Sequence, residues 1–156
     1  MARLYDRNKV MNVNGRGWDE MIAACGCAKV RIDPGFDPRE LPPLSEDEQG
    51  DVEITFHNQD KMTTDREWLK ILDKNPDGKN KFAHPLVLLA LGENCPDEQR
   101  QDPLFTIWED SNGNFWCLCL YVRDGERSLY VGYHGFDSFW MGNYWAVAVA
   151  KPVIGE

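Results

Sequence analysis

The segment NFWCLCLYV, residues 114–122, carries no charge and is apolar at odd and even positions alike. Successive side chains of an extended strand alternate between faces, so Phe115, Cys117, Cys119 and Tyr121 share one side, and Trp116, Leu118, Leu120 and Val122 the other. A strand that is apolar on both sides has to be covered on both sides. This segment is therefore expected at the centre of a sheet, with helices or loops packed over each face. A chain of 156 residues, 42% of them hydrophobic, is long enough to supply those layers, and a single domain over 1–156 is expected.

The two cysteines of the segment read as small hydrophobes inside that core. A disulfide between them is disfavoured, because two strand rises of ~3.3 Å separate their Cβ atoms by more than the ~3.5–4.5 Å a disulfide needs.

Three further runs near the carboxy terminus, LFTIWE, RSLYVGYH and YWAVAVAK, are β-branched and aromatic and are separated by turn signals such as Asn112-Gly113 and Asp124-Gly125. They predict a four-stranded antiparallel meander. In the last run Ala146, Ala148 and Ala150 line one face and Trp145, Val147 and Val149 the other. Small side chains allow close approach, so the Cys/Ala side is expected to carry a helix, either that over 82–92 or that near Trp18.

Upstream, residues 1–13 read as an arm or short strand, and Trp18, Met21, Ile22 and Cys25 predict a helix over about 17–27. Residues 33–50 combine four prolines with acidic side chains and read as an extended loop. DVEITFH alternates like a strand wetted on one face. TTDREWLKILDKN opens with a capping box, Thr64 and Glu67, ahead of a helix, and a largely buried second helix should stop near Gly92. The expected fold class is thus α+β: a carboxy-terminal four-stranded antiparallel meander against two or three helices, with an N-terminal arm.

The formal net charge of -9 argues against binding to a phosphate backbone and favours a protein partner with a basic surface. No stretch of the sequence resembles a membrane span or a secretory h-region, and the five cysteines do not form a secreted disulfide framework, so a cytoplasmic protein is expected. GxGxxG, P-loop, HExxH and GxSxG motifs are absent, and no cofactor is expected.

Three kinds of chemistry remain as alternatives. A thiol hydrolase could draw its nucleophile from Cys25 or Cys27, its base from His134 and an orienting group from Asp137 or Asn143. Zinc could draw on the five thiols, although C-x-C spacing suits it poorly. Calcium could use Asp73, Asn75 and Asp77, which with Gly78 match the start of an EF-hand loop, but the twelfth position is His84 where a bidentate glutamate is needed.

The reading favoured over these is a non-catalytic interaction protein, such as an inhibitor, an immunity factor or a phage or bacterial assembly subunit. Phe136, Phe139, Trp140, Met141 and Tyr144 crowd a short connection, and aromatics and methionine are enriched at binding hot spots. Glu46, Asp47 and Glu48, in the acidic stretch 33–53, would steer a basic partner toward them.

Overall fold

Local signals place most elements of the chain. A computed structural model describes residues 3–73, 80–135 and 138–150. In chain order the elements are β1 (Arg3–Met11), α1 (Trp18–Cys25), β2 (Lys29–Ile32), β3 (Val52–Asn58), β4 (Thr63–Thr64), α2 (Asp65–Ile71), β5 (Asn80–Phe82), α3 (Pro85–Asn94), α4 (Glu98–Gln101), β6 (Leu104–Glu109), β7 (Phe115–Arg123), β8 (Glu126–Tyr133), β9 (Phe139–Trp140) and β10 (Trp145–Ala150). The proline-rich segment holds two one-turn 3₁₀ segments, Pro38–Glu40 and Glu46–Glu48.

Both halves of the Thr64/Glu67 capping box form, so α2 starts where the sequence sets it. Gly26, with φ 72°, closes α1 in the left-handed conformation. Asp124 and Gly125 both take positive φ in the β7–β8 turn, as a two-residue hairpin requires.

The meander expectation is overturned by the strand order. Among the described residues the main sheet has eight strands, in the order β1-β3-β10-β6-β7-β8-β2, with β5 also paired to β10. Of the four strands of the expected meander, β6, β7 and β8 do follow one another antiparallel. The chain then crosses back, and β10 enters between β3, to which it is antiparallel, and β6, to which it is parallel. The physical reason lies in β10 itself: residues 145–149 are buried on both faces, and the end of a meander would have left one edge of such a strand bare. The N-terminal arm is a long strand paired antiparallel with β3, and Lys29–Ile32 lies parallel to β8 at the other end of the sheet.

Two hydrophobic layers sandwich this mixed sheet. On one side Trp116, Leu118, Leu120, Trp145, Val147 and Val149 pack with Met21 and Cys25 of α1 and with Val87, Leu88 and Leu91 of α3. Phe36 of the proline-rich loop closes this layer, 4.9 Å from Trp18 and 5.6 Å from Trp116 between ring centroids. On the other side Phe115, Cys117, Cys119, Ala146 and Ala148 pack with Phe105, Trp140 and with Trp68, Leu69 and Leu72.

The cysteines and alanines thus share a face, and a helix covers it, but that helix is α2. Neither of the two expected helices lies there: from the 82–92 segment only Phe82, the last residue of β5, packs on this face, while α1 and α3 pack on the opposite one. Cys117 and Cys119 are free thiols buried in this layer.

Candidate functional site

The most organised polar centre lies where β4, α2 and β9 meet. β4 and β9 form a two-stranded antiparallel ribbon apart from the main sheet, with Thr63 opposite Trp140 and Thr64 opposite Phe139. Thr63 and Trp140 point inward and are buried. Continuing the register by one residue sets Met62 opposite Met141, so Met62, Phe139 and Met141 lie on the outer side of the ribbon. They are 54%, 54% and 55% exposed, where side chains of this kind are ordinarily covered.

Buried polar groups hold the ribbon in place. Asp65, the first residue of α2, is fully buried; its Oδ1 accepts the indole N–H of Trp140 at 2.5 Å and its Oδ2 is hydrogen-bonded to Nδ1 of His134. The Asp65 amide donates to the Ser138 carbonyl at 2.9 Å. Trp140 stacks on Phe105 at 3.9 Å and on His134 at 4.6 Å between centroids. At the far end the buried Asn58 amide donates to the carbonyls of Gly142 at 2.8 Å and Tyr144 at 2.9 Å. Gly142 is needed there, since a Cβ would come within 2.9 Å of the Lys61 amide nitrogen.

The same face stays partly open beyond this cover. Arg31 of β2, Cys119 and Tyr121 of β7, Tyr130 of β8 and Tyr144 line a shallow depression of about 320 Å³. Burial, followed by the neighbouring Cys117, pushes the Cys119 thiol well above its ordinary range. It therefore stays protonated and unreactive at neutral pH.

The candidate residues of the aromatic segment part ways. Trp140 is core, Tyr144 is partly buried beside it, and Phe139 and Met141 face solvent; Phe136 lies outside the described residues. Of the acidic trio, Glu46 and Asp47 are exposed. Glu48 is buried: its carboxylate accepts the His84 amide at 3.0 Å and the Ser45 hydroxyl at 2.7 Å, and Lys81 lies 3.6 Å away. Asp47 also pairs with Lys81, at 3.2 Å. Much of the acidic charge at 47–48 is thus spent anchoring the proline-rich loop.

The hydrolase residues are not brought together. Cys25 and Cys27 belong to the α1/α3 side of the sheet, and His134 stacks on Trp140 on the other side. Asn143 is exposed in the turn before β10, and Asp137 lies outside the described residues. Among the calcium candidates, Asn75 and Asp77 also lie outside them, and Asp73 accepts the Phe82 amide at 2.7 Å, tying the end of α2 to β5. Among the described residues no cluster of three or more His, Cys, Asp or Glu side chains could hold a metal ion. Among them, too, no helix is long and apolar enough to cross a membrane.

Sequence reasoning missed Asp65, Met62 and Asn58. An aspartate in the first turn of a capped helix reads as an ordinary partner of the helix dipole, and nothing local says that its carboxyl faces inward. The sequence matches no protein-family model, and no curated protein or solved structure is significantly similar to it.

Proposed function

We propose that the chain is a non-catalytic interaction protein that docks a protein partner on the outer side of the β4–β9 ribbon. The observation carrying this reading is that three large apolar side chains, Met62, Phe139 and Met141, are more than half exposed on a ribbon braced by buried hydrogen bonds. Exposed anchors on a stiff support lose little entropy on binding, the condition under which a small patch yields useful affinity. Methionine and phenylalanine also adapt well to an apolar pocket.

The net charge of -9 favours a partner with a basic surface. That attraction is a field of the whole molecule, because the exposed charges nearest β4 in the chain, Asp60, Lys61, Arg66, Glu67 and Lys70, are mixed in sign. It would raise the association rate and fade with salt, while the apolar anchors set the lifetime of the complex.

The test is photocrosslinking from position 139 in cells of the source organism, repeated with Met62→Glu and Met141→Glu. A hot-spot side chain contributes about 2 kcal/mol, so each charge introduced into the apolar patch should weaken capture by roughly 30-fold or more. Both positions are exposed, so the melting temperature should not move. A crosslinked partner whose yield is indifferent to both substitutions would refute the reading.

A further inference from the structure

On the opposite side of the sheet, α1 ends in Cys25, turns through the left-handed Gly26 and continues to Cys27 before β2 begins. The turn brings the two sulfurs to 3.8 Å. Cys25 is sealed in the core at 1% exposure, with its Sγ against Gly92 of α3, where a Cβ would leave it no room. Cys27 is only half-buried. Arg127 of β8 lies beside both sulfurs, held by hydrogen bonds to the Gly92 carbonyl at 2.8 Å and to Oε1 of Gln99 at 3.1 Å. Gln99 is itself buried, and its amide donates to the Tyr121 carbonyl at 2.8 Å.

We propose that Cys25 and Cys27 form a thiol–disulfide exchange centre for small disulfides of the glutathione type, with Cys27 the attacking sulfur and Cys25 the resolving one. The roles follow from access: a disulfide in solution can reach Cys27 and cannot reach Cys25. The S–H of Cys25 donated to Cys27, and next the Arg127 charge, outweigh burial and bring the Cys27 thiol down to about 7, while the same hydrogen bond and burial push Cys25 up.

In the first step the Cys27 thiolate attacks one sulfur of the small disulfide; a mixed disulfide forms and one thiolate leaves. Cys25 then gives up its proton and attacks the Cys27 sulfur, closing the 25–27 disulfide and releasing the second thiolate, which is protonated. The balance is one protein dithiol and one small disulfide converted to one protein disulfide and two thiols. Closure draws the sulfurs from 3.8 Å to the ~2.05 Å of an S–S bond, a movement the glycine between them permits.

The test treats native protein with glutathione disulfide near pH 7, followed by acid quench and peptide mapping. The wild-type chain should yield the 25–27 disulfide. Cys25→Ser should stop at a stable glutathione adduct on Cys27, and Cys27→Ser should leave Cys25 unmodified.

A second readout needs no variant. Iodoacetamide labelling of Cys27 should reach half its maximal rate near pH 7, whereas an ordinary thiol titrates near ~8.5. At pH 7 about half of Cys27 is thiolate, against roughly 3% of an ordinary thiol, and its lower basicity takes back about fivefold in nucleophilicity. The net advantage is therefore roughly threefold. An adduct at Cys25 in Cys27→Ser, or labelling of Cys27 with the midpoint of an ordinary thiol, would overturn the proposal. Neither outcome bears on the docking ribbon, which lies on the other face.

Discussion

Asp65 offers the sharpest test of how the ribbon is held. Replacing it with alanine deletes the acceptor of the Trp140 indole N–H and the partner of His134 Nδ1, and removes one of the two acids, Asp65 and Glu67, from the first turn of α2. An unsatisfied indole N–H in a buried site costs ~1–3 kcal/mol. His134 retains some exposure, at 18%, and can recover water, so its loss is nearer ~1 kcal/mol. The helix-dipole contribution adds ~0.3–1 kcal/mol. These losses share a network and do not add fully, which places Asp65→Ala at about 3 kcal/mol.

Asp65→Asn is the informative contrast. Its carbonyl oxygen still accepts from the indole, and its NH₂ donates to Nδ1 of His134 when the imidazole carries its proton on Nε2. The shape survives and only the assistance of charge is lost, so the expected cost is about 1 kcal/mol. Urea unfolding followed by tryptophan fluorescence measures both, with the m-value as a check that the unfolded state is unchanged. For a chain of this size the alanine variant should melt roughly 6–12 °C lower and the asparagine variant roughly 2–4 °C lower. Equal losses in the two would show that charge, not the geometry of the bridge, holds the ribbon.

Other outcomes follow from single contacts. Gly92→Ala gains about 1 kcal/mol of helix propensity but drives a methyl into Cys25 Sγ and to 3.1 Å from Leu120 Cδ1, so net destabilisation of ~1–2 kcal/mol is expected in urea. Adding Cys25→Ala should recover part of that loss. Arg127→Gln removes a positive charge beside Cys27 and should move the midpoint of Cys27 alkylation upward by a readily measured amount.

His84 caps α3 by accepting the Leu86 amide on Nδ1 at 3.1 Å, while Nε2 donates to the Pro42 carbonyl at 2.7 Å. Burial lowers its pKa, outweighing the Pro42 hydrogen bond and the nearby Glu48, and Lys81 pushes the same way as burial. The buried His57 is lowered by burial as well. Because both imidazoles are neutral in the folded chain, their contribution is complete above the unfolded value of ~6.5 and is lost as pH falls through their lower folded values. Unfolding free energy should decline below about pH 6.5, and more shallowly in His84→Asn, whose side chain can still cap the helix.

What could be read directly from the chain was whatever repeats at short range. The two-faced apolar pattern of residues 114–122 marks β7 as interior, the Thr64/Glu67 pair starts α2, and Asp124-Gly125 turns a hairpin. The same logic applied to Trp145–Ala150 would have moved β10 inward, yet which strands flank it has no local signature. Ladder hydrogen bonds join any two backbones alike, and only the closing of both layers selects β3 and β6. The site lay equally beyond reach, because Asp65 meets His134 and Trp140 across 69 and 75 residues of chain, and Cys27 meets Gln99 across 72. Periodicity and capping act within a turn or a strand, and so settle which face of an element is apolar. Contacts between distant side chains arise only once the strand order brings those faces together, and in this protein that step decided which residues could be chemistry and which could only be core.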